Sequence, residues 1–124
     1  MLLPSPAQRI ERFECVRITD IETQLWASVP GETIGVWEGQ DVTAVAELIS
    51  RLPDGEMYRC FVPHYGIRAH SADAVLFEIA FCFRCHNALV LRPGDEGQGE
   101  LTAFDADSPS AQDLLGRFKA IDQP

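Results

Sequence analysis

The alternation between Tyr65 and Leu91 does most to limit what this chain can fold into. Tyr65, Ile67 and Ala69 fall on one face of an extended run, and Gly66, Arg68 and His70 fall on the other. After Ser71-Ala72-Asp73, which reads as a turn, Val75, Phe77, Ile79, Phe81 and Phe83 again share one face. Strand side chains alternate with period two, so each run buries one side. The links between runs are too short for a parallel crossover, which needs about a dozen residues. Antiparallel hairpins are therefore expected.

Other segments extend this sheet. Met57 to Val62 is rich in aromatic and branched residues and reads as a strand, broken by Pro63-His64. Asn87 marks a turn, and Ala88 to Leu91 and Leu101 to Phe104 read as further strands. Gly31 turns the chain ahead of a short strand, Thr33 to Trp37. The first thirty residues leave two readings open: Ser5-Pro6 opening a short helix, and Phe13 to Ile18 as a strand.

Asp41 to Leu52 is the clearest helix. Asp41 is a natural N-cap, and Val45, Leu48, Ile49 and Leu52 form one apolar face at i, i+3, i+4 and i+7. Glu47 and Arg51 stand four apart on the opposite side. Pro53-Asp54-Gly55 stops it. Ser108-Pro109 opens a second helix, with Leu114, Leu115, Phe118 and Ile121 as its buried face. The expected architecture is a single α+β domain over residues 1–124. Its antiparallel sheet has four to six strands, with two or more helices packed on one side.

Composition fits one globular core: 124 residues, 46% hydrophobic and 23% charged. Ten basic residues against nineteen acidic ones give a net charge of −9. Phosphate neutralisation needs a clustered basic surface, so nucleic-acid binding is disfavoured. Attachment to anionic lipid is disfavoured for the same reason. No charged leader followed by a long apolar run opens the chain, and no segment approaches about 20 apolar residues. The expected compartment is the cytoplasm, where thiols stay reduced. Charge is uneven: Asp20 to Glu56 holds eight acids and one base, and Asp95 to Asp113 holds six acids and no base.

The chemistry-bearing string is Cys60-Phe61-Val62-Pro63-His64-Tyr65-Gly66-Ile67, followed by Cys82-Phe83-Arg84-Cys85-His86-Asn87. Cys82 and Cys85 form a C-x-x-C whose sulfurs converge if the chain turns at Arg84 to Asn87. Cys60, with His64 or His86, would complete a Cys3His set suited to zinc. The plainer alternative is core packing, because structural zinc usually shows two ligand pairs and buried thiols are common. A redox pair at Cys82 and Cys85, or a disulfide, completes the range. Redox use normally draws on a helix N-terminus to lower a thiol pKa, and this C-x-x-C follows a strand. A Cys/His nucleophile would need a third group to orient the base, and Asn87 and Glu78 qualify by type. Cys15, Trp26 and Trp37 read as core, His70 as a solvated surface residue, and His64 as a turn residue. Gly94, Gly97 and Gly99 lack the Gly-Lys-Ser/Thr of a phosphate loop. The acids from Asp95 to Asp107 lack EF-hand spacing.

The pattern Cys-Phe-x-Pro, then Gly-Ile, then Cys-Phe-x-Cys resembles one found in short uncharacterised bacterial proteins. It covers about Tyr58 to Leu91, with Cys60, Pro63, Gly66, Cys82 and Cys85 at the pattern positions. The resemblance implies an antiparallel hairpin core and no particular activity. In that pattern a basic residue follows the proline and a histidine often comes next. Here His64 follows Pro63 directly and Tyr65 takes the second place. In size and charge the chain is also similar, more loosely, to immunity proteins that neutralise bacterial toxins.

These readings converge on a non-enzymatic interaction protein that binds a basic toxin domain. Acidic flanks would steer and complement such a partner. The expected contacts are Glu32, Glu38, Asp41, Asp95, Glu96, Glu100, Asp105 and Asp107. The alternatives are a zinc module on Cys60, Cys82 and Cys85, and a thiol redox protein on Cys82 and Cys85.

Overall fold

The computed structural model describes residues 9–19, 28–56, 58, 60–93 and 99–123. Its elements are β1 (Arg12–Ile18), β2 (Gly31–Glu38), α1 (Gln40–Ser50), β3 (Tyr65–His70), β4 (Val75–Cys82), β5 (Asn87–Leu91), β6 (Glu100–Ala103) and α2 (Pro109–Ile121). The strands form one sheet in the order β2-β1-β3-β4-β5-β6. Every pairing is antiparallel. The expected α+β class, with helices on one side of an antiparallel sheet, is the observed one.

The alternation decides which side is which. Phe13 and Cys15 of β1, Ile67 and Ala69 of β3, and Phe77, Ile79 and Phe81 of β4 form one buried face. Val45 and Ile49 of α1 and Ala111, Leu114 and Phe118 of α2 cover it. The opposite face carries a smaller cluster, Val16, Ile18, Val29, Ala80 and Leu91, with Phe61 and Leu89 packed against it. Burial on both faces explains why β4 is buried continuously from Phe77 to Cys82.

Several expectations need correction. Tyr58 and residues 60–64 form no strand. Both sides of β3, the strand this segment leads into, are taken by β1 and β4, so it forms no hairpin with β3 and instead packs Phe61 against the second face. The N-cap of α1 is Gly39, not Asp41. Gly39 has φ 59, a left-handed conformation open to glycine, and it swings the chain out of β2. Asp41 lies one position into the first turn, where its charge complements the helix dipole. Asn87 opens β5 instead of turning the chain, and the turn is at residues 83–86. Ser108 caps α2 as expected, its hydroxyl accepting from Ala111 N–H. The helix expected at Ser5-Pro6 and the side chain of Trp26 lie outside the described residues.

Candidate functional site

One row of the sheet builds the floor and wall of a cleft. Arg17 of β1 pairs in register with Tyr65 of β3, and Tyr65 pairs with Phe81 of β4. Register partners project from the same face, here the face that α2 covers. The helix supplies Leu115 and Lys119, which stand four apart and so share one side. Asp122 follows at its C-cap. His64, just before β3, and Phe83 and Arg84, in the turn after β4, complete the lining of a cavity of about 460 Å³.

The floor is aromatic. Phe81 is fully buried. It stacks beside Phe83 at 5.8 Å, and Phe83 meets Phe104 edge-on at 5.6 Å. Tyr65 lies flat against Phe118 at 5.0 Å. These contacts fix the floor before any ligand arrives.

The rim is cationic. Arg17, Arg84 and Lys119 are three of the ten basic residues in a chain of net charge −9. Arg17 is already neutralised: it donates to Asp122 at 2.7 Å and to Glu32 at 2.8 Å. Asp122 is also committed, its other oxygen accepting from the Tyr65 hydroxyl at 2.9 Å. Burial first, then that hydrogen bond and the carboxylate charge, push the Tyr65 phenol above its ordinary pKa. Arg84 and Lys119 differ from Arg17. Both are exposed, and neither side chain has an ion pair or hydrogen bond among the described residues. The site therefore offers two unspent positive charges above an apolar surface, with the exposed His64 ring beside them.

The cysteines do not gather as the zinc reading requires. Cys60 and Cys85 are joined as a disulfide, with Cα atoms 5.6 Å apart. Neither sulfur is then a thiolate, the form that ligates a metal. The expectation of reduced thiols throughout is corrected by the same bond. Cys82 is a separate buried thiol, and its sulfur accepts from Val62 N–H and Cys85 N–H. The chain does turn within the C-x-x-C, as the convergence argument required. His64 lies in the cleft and His86 lies elsewhere, its ring tilted against Tyr58 at 4.8 Å.

His86 instead approaches Asp105 and Asp107, with one potential ligand atom from each within 4.8 Å of the others. Its Nδ1 accepts from Ala106 N–H at 3.1 Å. A neutral ring with an accepting Nδ1 carries its proton on Nε2, which is then a donor and no ligand. As folded, this group closes a turn.

On the opposite sheet face, Arg68 donates to Glu14 at 2.7 Å, to Glu78 at 3.0 Å and to Val29 O at 2.6 Å. Ser28 Oγ and Val29 N–H complete Glu78, and His70 meets Glu14 at 2.9 Å. His70 is thus 15% exposed and bonded, not solvated. Residues 28–29 supply the lid that sequence pattern could not reveal. Every charge here has a partner, so the network holds the sheet to that lid. Glu78 is spent in it, and Asn87 donates to Cys60 O at 2.8 Å; neither orients a Cys/His pair.

The expected acidic contacts divide between the sheet's two edges. Glu32, Glu38 and Asp41 lie on β2 and the start of α1, while Glu100, Asp105 and Asp107 lie on β6 and the loop after it. Asp95 and Glu96 lie outside the described residues. Comparison with known protein families, with curated proteins and with solved structures finds no match.

The sequence reading missed the cleft. Its one linear trace is the α2 stripe of Leu115, Lys119 and Asp122. Arg84 drew notice only as a neighbour of the cysteines.

Proposed function

We propose that this domain binds a small amphipathic anion: a planar apolar body carrying a phosphate, sulfonate or carboxylate group. The observation behind this is the pair of uncompensated cations, Arg84 and Lys119, at the rim of an aromatic-floored cleft in a strongly acidic chain. The cavity volume falls within the range of small-molecule sites, about 300–1,000 Å³. Arg84 suits a forked contact with two oxygens, and Lys119 adds a point charge. The acidic remainder of the surface repels anions, which leaves the cleft as their preferred destination.

Titration calorimetry with naphthyl phosphate tests this. Neutral naphthol lacks the charge and inorganic phosphate lacks the ring, so each should bind at least about tenfold more weakly. Arg84→Ala and Lys119→Ala should each cost about 1.5–3 kcal/mol of naphthyl phosphate affinity, the worth of a charged hydrogen bond. Equal binding by the variants would remove the cleft from consideration.

The interaction-protein reading, with a basic toxin domain as partner, keeps support from β2. Among the described residues this strand is an edge of the sheet, with Val36 40% exposed between exposed Glu32 and Glu38. A partner there would be lost on charge reversal at Glu32 and Glu38, and would be indifferent to Arg84→Ala.

A further inference from the structure

We infer that the Cys60–Cys85 disulfide is a redox clamp on the cleft: oxidised, it holds the cleft ready for ligand, and reduction loosens it. This rests on the cleft being the binding site. The two residues between Cys82 and Cys85 are Phe83 and Arg84, which supply part of the floor and one of the two free cations. His64, a third lining residue, is four positions beyond Cys60. The disulfide therefore joins the two stretches of chain that present these groups.

Their other contacts among the described residues are noncovalent. The stretch before β3 belongs to no strand. It meets the turn and the adjoining strand ends through Tyr58 N–H to Cys85 O at 3.3 Å, Asn87 to Tyr58 O at 3.5 Å and to Cys60 O at 2.8 Å, Val62 N–H to Cys82 Sγ at 3.4 Å, and the Tyr58–His86 ring contact at 4.8 Å. Phe61 packs below. Each of those contacts is noncovalent and can open separately, so the disulfide adds a constraint on their relative position that the others do not replace.

The bond is also accessible from one side. Cys60 is exposed and Cys85 is fully buried. A thiolate from a dithiol reductant can reach Cys60 Sγ; the S–S bond breaks and Cys85 leaves as a thiolate, which takes a proton. The reductant's second thiol then attacks its own sulfur in the mixed disulfide and releases Cys60. The dithiol is oxidised to a cyclic disulfide, and the protein gains two electrons and two protons. Exposed disulfides are the ones that serve as labile, regulatory bonds.

Once open, Phe83 keeps its ring contacts with Phe81 and Phe104, but the exposed Arg84 loses the covalent tie beside it, and a ligand must order that side chain itself. That cost weakens binding by about fivefold or more.

The experiment is calorimetric titration of naphthyl phosphate into the full chain, first oxidised and then after dithiothreitol, with the redox state read by intact mass. Oxidised protein should bind, and reduced protein should bind about fivefold more weakly or worse. Cys60→Ser with Cys85→Ser should match the reduced protein and ignore dithiothreitol. Circular dichroism checks its fold; if that variant does not fold, the reduced wild-type chain decides alone. Equal affinity in the two redox states overturns the clamp and leaves the cleft standing. Oxidised protein that binds no naphthyl phosphate removes the cleft reading and the clamp with it. A mass showing four thiols after mild oxidation overturns the clamp alone.

Discussion

Arg17 and Asp122 are 105 residues apart in the chain, and their side chains meet at 2.7 Å. The contact ties the end of β1 to the end of α2, and Tyr65 shares the same carboxylate from the neighbouring strand. One small ion-paired knot thus sets the width of the cleft at its cationic rim.

Asp122→Ala removes the acceptor for both partners. The Arg17 side chain is 47% exposed, so solvent screens the ion pair, and the expected loss is that of the part-buried Tyr65 hydrogen bond, about 1 kcal/mol. Urea unfolding measures it. Tyr65 adds a pH signature. Its phenol sits above its ordinary pKa of 10.0, through burial first and then through Asp122. That contribution is complete below the unfolded pKa and is lost as pH rises through the folded one. Stability should therefore decline above about pH 10, and Asp122→Asn should shrink the decline. An identical alkaline limb in the variant would refute the assignment.

Arg68→Met leaves the buried Glu78 and the half-buried Glu14 without their cation. Unpaired buried charge is costly, and about 3 kcal/mol of stability should go. Adding Glu78→Gln should restore part of it, because the remaining group is neutral. A double variant no more stable than the single one would mean the charge is not the cause.

Glu14 should shape the acid limb of stability. Burial acts to raise its pKa, but hydrogen bonds from Thr33 and His70, with the Arg68 charge and hydrogen bond, hold it below 4.5. The resulting stability is present above the unfolded pKa and is lost as pH falls through the folded one. Glu14→Gln should flatten unfolding midpoints below about pH 4.5 relative to wild type. A parallel acid limb would argue against the network.

Gly66→Ala tests the close approach of β3 to β4. An added methyl would lie 2.8 Å from the Ile79 carbonyl and 3.0 Å from Val29. The first neighbour is backbone and cannot swing away, so a loss of about 1–3 kcal/mol is expected. An unchanged urea midpoint would show that the strands part freely.

Cys15 should resist alkylation in the folded chain. Burial, and then the neighbouring Glu14 charge, push its thiol up to about 12. With iodoacetamide at about pH 8 it should react only after urea is added. Fast labelling of native protein would place it nearer the surface.

Much of the sheet is legible from the sequence because its signal is local. Period-two alternation from Tyr65 to Phe83 identifies β3, β4 and the face that α2 covers. Ser108-Pro109 announces α2 because capping needs only adjacent residues. The segment from Met57 to Val62 has strand composition, yet Tyr58 and residues 60–62 form no strand, since composition cannot say which neighbour a segment will pair with. His70 looks solvated for a similar reason, because its partner Glu14 comes from a strand 56 residues away in the chain.

The α+β class, the antiparallel connections and the apolar faces follow from spacing within a few residues. The geometry of the cleft does not. Only strand register aligns Arg17, Tyr65 and Phe81 in one row. Only the docking of α2 places Lys119 on the cavity that Arg84 also lines. Only the path of the chain before β3 selects Cys85, and not Cys82, as the partner of Cys60. Short-range periodicity fixes which side of an element is apolar. Which distant side chains meet depends on how those elements pack, and no local pattern encodes that.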